Sequence, residues 1–457
     1  MVTSLQGVTG WGRIQGTPAG APVTLRLLRS TGSVHQRSTS HVIAYLALTG
    51  SLLALGIDII IPAFDEMRPD LGLDPASNDI TLVITAYFLG MAIGQPLWGP
   101  IADRFGRAPA MTAGLGLYSL GALASAMSPT LGVMLVARFV WGLGAAAPAL
   151  LRSAIARDLY TGDQMARVMS IVMAVFMVGP VAAPLLGAAL LAVAPWPSVF
   201  LVCAVAAVLV LGWTRRFGET LSEQNRRPLK FGPTIAAFRT VVSTRATVVP
   251  ALALVFNQAT FFIFLGSGQP IMDVIFEREE LFVWVFSVSG LFLATGFVVS
   301  DRLMARFGAA RVLEASAMAF VAVALVNLMV VFAADGRPDW WVWAVGVGVM
   351  NLVAVPFGPA VFSIALEPMG AQAGTASGVI GLMTMAGGSL LAAVFDARIV
   401  DTVSPMAVAY LGYGLISAAL VWVGRPGVRA QNDRTRTKQV RGRRRCETDL
   451  GGARGGT

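Results

Sequence analysis

HVIAYLALTGSLLALGIDIIIPAF, residues 41–64, decides the class of this chain. A hydrocarbon core about 30 Å thick needs about 20 helical residues at 1.5 Å each, and this run is long enough. It holds one acid, Asp58, and one proline, Pro62. Read as a continuous helix, the run places Asp58 six residues before its outer end, below the surface but above the midplane. An ionised carboxylate there costs at least about 2.5 kcal/mol, and a neutral or paired one avoids most of that. The expectation is a protonation site facing a polar cavity. The alternative is an acid that pairs or snorkels near a helix end.

The rest of the chain repeats the pattern. The protein has 457 residues, of which 56% are hydrophobic and 13% charged. A soluble domain carries about 25% charge. The 49 glycines and 24 prolines fall largely inside apolar runs, as in membrane helices. Twelve spans are expected: 41–64, 78–98, 110–128, 130–151, 167–190, 196–214, 247–272, 280–300, 311–333, 340–363, 371–395 and 404–424. The expected fold is an all-α polytopic membrane protein of twelve helices in two six-helix bundles, 41–214 and 247–424. A linker at 215–246 joins them, and its Ile235–Val242 stretch is patterned to lie as an amphipathic helix on the membrane. Flexible tails at 1–40 and 425–457 complete the chain.

Charge sets the expected orientation. Of 34 lysines and arginines, 29 fall in segments that are cytoplasmic when the N-terminus is inside. Arg68, Arg278, Arg337 and Arg398 lie on the other side, and Arg138 lies within the fourth span. Without the tails the ratio is still 15 to four, which places both termini in the cytoplasm of a cell with this protein in its inner membrane. The net charge of +9 is thus explained by topology and lipid, and nucleic acid is not an expected partner. Cys203 and Cys446 form neither a disulfide framework nor a metal site. There is no Walker A sequence, no clustered metal-ligand set and no histidine deep in a span, so no cofactor and no catalytic machinery are expected.

Several motifs stand out. The loop GPIADRFGRAP, 99–109, has a weaker copy in DRLMARFGAAR, 301–311, where alanines replace Asp103 and Arg107. Gly99 and Gly106 permit a tight turn, while Asp103 has Arg104 and Arg107 as partners or the amide groups opening a neighbouring helix. Such a loop serves as a latch at the cytoplasmic mouth, with the second copy contributing less. Arg138 must face a cavity or a partner, such as backbone near the first helix or a carboxylate there. Gly142, Gly144 and Ala145–Ala147 offer a small-residue surface for close helix contact. In span five, Pro180 and Pro184 bend the helix between Gly179 and Gly187, at the expected interface between the halves. Gln95, Asn257 and Gln258 are candidates to line a path. No other acid lies as deep in an expected span as Asp58.

Together these stretches resemble the major facilitator superfamily, and within it the twelve-helix drug:proton antiporters. The likeness is closest to the bicyclomycin and chloramphenicol resistance (Bcr/CflA) branch. It is carried by GIDIIIPAFDEMRPDLG at 56–72, GPIADRFGR at 99–107, ARFVWGLGAA at 137–146, RSAIARDLY at 152–160, GPVAAPLLG at 179–187 and ALEPMGAQAGTASGVIG at 365–381. The resemblance implies export of small, mostly apolar compounds in exchange for protons by a protein working as a monomer. It makes Asp58 the first-helix acid, Asp103 the loop acid, Arg138 the fourth-helix arginine and Pro180 and Pro184 the fifth-helix bends. Trp141 departs from the pattern, standing where the fourth-helix motif usually has glutamine, and the aromatic seventh helix is also unlike the branch. Alternatives are a proton-coupled exporter or importer of a sugar or other metabolite, and a non-transporting assembly or receptor protein.

Overall fold

The computed structural model describes residues 38–74, 77–226, 228–229 and 232–424. The expected tail at 425–457 and residues 1–37 of the expected tail at 1–40 lie outside these residues, while Thr39 and Ser40 already belong to α1. The helices are α1 (Thr39–Asp58), α2 (Phe64–Asp70), α3 (Leu82–Phe105), α4 (Arg107–Ala126), α5 (Leu131–Leu159), α6 (Gly162–Leu191), α7 (Pro197–Phe217) and α8 (Gly232–Ser243). They continue with α9 (Arg245–Pro270), α10 (Phe282–Phe307), α11 (Ala309–Ala333), α12 (Trp340–Ala354), α13 (Phe357–Leu366), α14 (Ala373–Asp396) and α15 (Ser404–Gly424). There is no strand among the described residues. Among the described residues, eleven segments are long and apolar enough to cross a membrane. The expected span at 110–128 is α4, twenty residues rich in alanine and glycine and packed between α5 and α7. An all-α multispanning protein follows, because only helices or closed barrels satisfy every backbone group in lipid.

Two spans are not the continuous helices expected. The first runs from Thr39 to Asp70, but α1 ends at Asp58, a short 3-10 turn covers Ile61–Ala63, and α2 follows. Pro62 supplies no backbone donor to continue the α-helical ladder at this break. Asp58 is thus the last residue of α1, and the break follows it directly. The tenth span breaks in the same way before Pro356, between α12 and α13. Helix α9 passes into a π-helical turn at Ile271–Ile275.

Small residues set the closest contacts. A Cβ on Gly142 of α5 would strike the Tyr87 carbonyl of α3, and one on Gly144 would strike the α4 backbone at Tyr118. Without hydrophobic drive between helices in lipid, such close backbone approach is a main source of packing. In the second half, α9, α13 and α14 share a core that includes Leu254, Phe357, Val361, Val379 and Ile380. Helix α8 joins this core through fully buried Val241, while Ile235, Phe238 and Val242 remain exposed. The linker helix thus lies with one apolar face on the protein, against α14 and α9, and another facing outward.

The internal repeat is visible in the backbone. Helices α3 and α10 both end at a glycine with positive φ, Gly106 at +108° and Gly308 at +81°, and α4 and α11 start at the next residue.

Candidate functional site

Arg138 organises the middle of the first half. It is fully buried, and its Nη1 donates to the Gly56 carbonyl at 2.9 Å while Nε donates to the Val83 carbonyl at 3.2 Å. The last carbonyls of any helix lack an intrahelical donor. Gly56 lies two residues before the end of α1, so Arg138 supplies from α5 what the broken helix cannot supply itself. The guanidinium also sits 4.5 Å from the centre of the Tyr87 ring and 4.7 Å from that of Trp141. Trp141, the departure noted in the sequence, is fully buried and makes edge contacts with Tyr87 and Tyr118. An aromatic wall therefore holds the cation by its π faces. Tyr118 Oη donates to the Leu52 carbonyl at 2.7 Å, a second tie to α1.

Asp58 ends α1 directly beyond this anchor and is 5% exposed. Its carboxylate has no hydrogen bond or ion pair among the described residues, and Arg138 is not its salt-bridge partner. The C-terminal turn of a helix is also a poor place for an anion, because the backbone dipoles point their negative ends there. On the other flank lies α6. A Cβ on Gly179 would meet Ala54, and one on Gly187 would meet the Ile59 carbonyl, the residue after Asp58. The glycines beside Pro180 and Pro184 thus fit α6 against the broken first helix of its own half. Contact with the second half comes through Val181, which touches α10 at Gly290.

The loop after α3 forms a separate cluster. Arg107 Nη1 bonds Asp103 at 2.7 Å and its Nε bonds Asp158 of α5 at 3.0 Å. The amide groups opening α4 go to Glu219, not to Asp103: Arg107 N at 2.9 Å and Ala108 N at 3.2 Å. Gly106 leaves room for that carboxylate, whereas Gly308 has nothing beside it. Arg104 is exposed, and Gly99 lies near Leu150 of α5. Sequence reading missed Asp158 and Glu219; the RDLY stretch and the first acid after α7 were the available signals.

The other candidates are scattered. Gln95 Nε2 reaches Met385 Sδ of α14 at 3.1 Å, Asn257 is buried in α9, and Gln258 is partly buried next to it. Arg152, expected in a loop, lies on α5 with Nη1 buried against Gly50 and its guanidinium over Phe176.

Among the described residues a second acid, Asp396, is as deeply buried as Asp58. Asp396 was placed just past the eleventh span, but it is the last residue of α14 and only 2% exposed. Ser267 Oγ of α9 donates to its Oδ1 at 2.6 Å. Asn78 Nδ2 donates to the backbone carbonyls of Asp396, at 3.2 Å, and of Ile399. Nearby on the same face, fully buried Arg68 bonds Asp273 at 3.0 Å and Asp65 at 3.2 Å. Residues from both halves of the sequence close this face.

A family model described as the Major Facilitator Superfamily matches residues 46–393. The chain belongs to the major facilitator superfamily. It is therefore a member of a transporter family rather than an enzyme family. A bicyclomycin resistance protein homolog from Haemophilus influenzae is 28% identical over 373 residues, covering 81% of this chain and 92% of the relative. A multidrug resistance protein MdtL from Escherichia coli O45:K1 is 26% identical over 348 residues, covering 74% and 84%. Among solved structures, the human organic anion transporter MFSD10 has a TM-score of 0.62 at 18% identity, covering 85% of this chain and 100% of that one. A D-xylose-proton symporter has a TM-score of 0.68 at 13% identity, covering 84% and 96%. These structural likenesses establish the superfamily fold.

Proposed function

We propose that this superfamily member is a proton-coupled exporter of small, mostly apolar compounds, of the bicyclomycin and chloramphenicol resistance branch. The observation that carries the reading is Asp58: a 5% exposed acid at the break in the first span, without an ion-pair partner among the described residues. The relatives named for bicyclomycin and multidrug resistance support the substrate class and the branch.

The proposed cycle rocks the bundle 41–214 against 247–424, with the face carrying Arg68 and Asp396 directed out of the cell, as the charge count favours. Open to the outside, Asp58 takes a proton and substrate leaves. Open to the cytoplasm, it releases the proton and substrate binds again. Each inward proton contributes about 2.3 kcal/mol per 100 mV of membrane potential. Arg138 keeps α1 ended at the right turn, so that the carboxylate stays at the break. Monomers suffice, since the path lies within one chain.

The test is transport in inverted vesicles with a pH-sensitive readout across a panel of apolar drugs, sugars and other metabolites. Asp58→Asn is expected to abolish gradient-driven accumulation while leaving substrate exchange measurable. Unchanged proton-driven transport in this variant would overturn the assignment of Asp58. Transport of sugars alone would overturn the substrate class.

A further inference from the structure

We infer that Asp396 is a second proton-binding residue, one that holds the outward face shut when protonated and lets it open when ionised. The inference rests on the transport cycle proposed above but gives Asp396 a role distinct from that of Asp58. Three elements converge on this carboxyl group. Helix α9 provides the Ser267 hydroxyl to Oδ1 and packs Gly266 against Oδ2, where an added Cβ would stand 3.0 Å away. The turn at Asn78–Thr81 lies against that same glycine through the Thr81 Cβ. Helix α14 ends at the residue itself, and Asn78 donates to its backbone carbonyl and to that of Ile399 just beyond. Asn78 and Thr81 belong to the first half, and Ser267 and Asp396 to the second. The carboxyl group therefore sits in the seam that must part when this face opens.

Among the described residues no cation forms an ion pair with it. The nearest basic residue in sequence, Arg398, is exposed and directs its Nη1 to the Val394 carbonyl. Tyr410 and Tyr413 of α15 lie within electrostatic reach, and neither brings positive charge. Arg68, further along the face, is engaged by Asp273 and Asp65. Oδ2 has no hydrogen-bond donor among the described residues and is the natural seat for the proton. A buried unpaired carboxylate is disfavoured by several kcal/mol, whereas its neutral acid needs only ordinary hydrogen bonds. When the seam opens, water reaches the group and the ionised form becomes stable. The proton comes from the outer medium and returns to it, so Asp396 adds nothing to the number of protons carried. It makes closure depend on external pH: acid favours the closed face. The Arg68–Asp273 pair works in the opposite sense, since protonating Asp273 weakens it. The two dependences are separated by substituting Asp396 alone.

The experiment uses the full chain in lipid nanodiscs with Cys446 replaced and spin labels at exposed Glu66→Cys and Val400→Cys, read as a distance distribution across pH without substrate. A long-distance population is expected to vanish as pH falls. In Asp396→Asn, which mimics the neutral acid, the short distance should persist as pH rises, with only the opposite, acid-side dependence of the Arg68–Asp273 pair remaining, and the infrared band of a protonated carboxyl group should be lost. Ser267→Ala should move the closing transition to lower pH, which keeps the test alive if the Asp396 variant does not fold. Asp58→Asn should titrate like the parent, so loss of proton-coupled transport leaves this reading intact. Titration of Asp396→Asn like the parent, no change in the infrared band, or an unmoved transition in Ser267→Ala would each overturn the inference.

Discussion

Gly106 adopts φ +108° and ψ 162°, a region essentially reserved for glycine. Alanine there costs about 1–3 kcal/mol in backbone strain alone. It also drives a methyl group into the Glu219 carboxylate that caps α4. Gly308 shares the backbone requirement, at φ +81°, but has open space beside it. Gly106→Ala is therefore expected to lower the melting temperature in detergent more than Gly308→Ala; equal shifts would remove Glu219 from the account. Arg138 makes a second case. Lysine keeps the charge but cannot reach the Gly56 and Val83 carbonyls from two edges of a planar group, nor stack on Tyr87 and Trp141 as guanidinium does. A buried carbonyl left without a donor costs about 1–3 kcal/mol. Arg138→Lys should lower stability by that order and slow transport, measured by melting and vesicle uptake; an unchanged variant would show that charge alone suffices. Arg138 was legible in the sequence because a cation eight residues into an apolar run demands a partner. Asp396 and Arg152 were not, because both stand at the margins of apolar runs, where composition cannot tell a loop from the last turns of a helix.

At the scale of elements, the decisive feature is the break in the first span. The sequence shows Pro62 but not where the ladder fails, since a proline's effect extends back to the carbonyls it leaves without donors. Asp58 gains its position from that break, and the break is held from two sides. Arg138 bonds the carbonyl before it, and Gly187 of α6 fits against the carbonyl of Ile59 after it. A methyl at Gly187 pushes directly on that carbonyl, and overpacking of this kind costs about 1–3 kcal/mol. Gly187→Ala should thus impair proton-linked transport beyond its effect on folding. Gly212→Ala, on α7 with nothing beside it, is the control and should be stable and active. If both variants transport normally, the α6 contact does not set the geometry at Asp58. The paired prolines were readable as a bend, but periodicity could not reveal that the flanking glycines face α1, because small residues carry no directional signal.

At the scale of the molecule, the closed face is held by contacts that span the length of the chain. Arg68 is fully buried between Asp65, whose side chain is 49% exposed, and Asp273, whose side chain is 21% exposed. Only the second bond crosses from the first half to the second. The bond to Asp65 joins residues one turn apart and does not cross the seam. No local pattern could have paired residues 68 and 273, since they are 205 positions apart. The broad fold was legible because lipid imposes length and polarity on every span; this seam was not, because it depends on how the halves meet. Removing one partner of a fully buried ion pair costs about 3–5 kcal/mol, and the partial exposure of Asp273 argues for a smaller value, about 1–3 kcal/mol. Each 1.4 kcal/mol is tenfold in an equilibrium. Asp273→Asn should therefore raise the open population about fivefold or more, and Asp65→Asn should leave it nearly unchanged. Thr81, 2% exposed in the seam, reports this directly. A cysteine at Thr81→Cys should react with a membrane-impermeant maleimide several-fold faster in the Asp273→Asn background than in the parent. Equal rates in both backgrounds would mean that the pair is local packing and that closure of this face is held elsewhere.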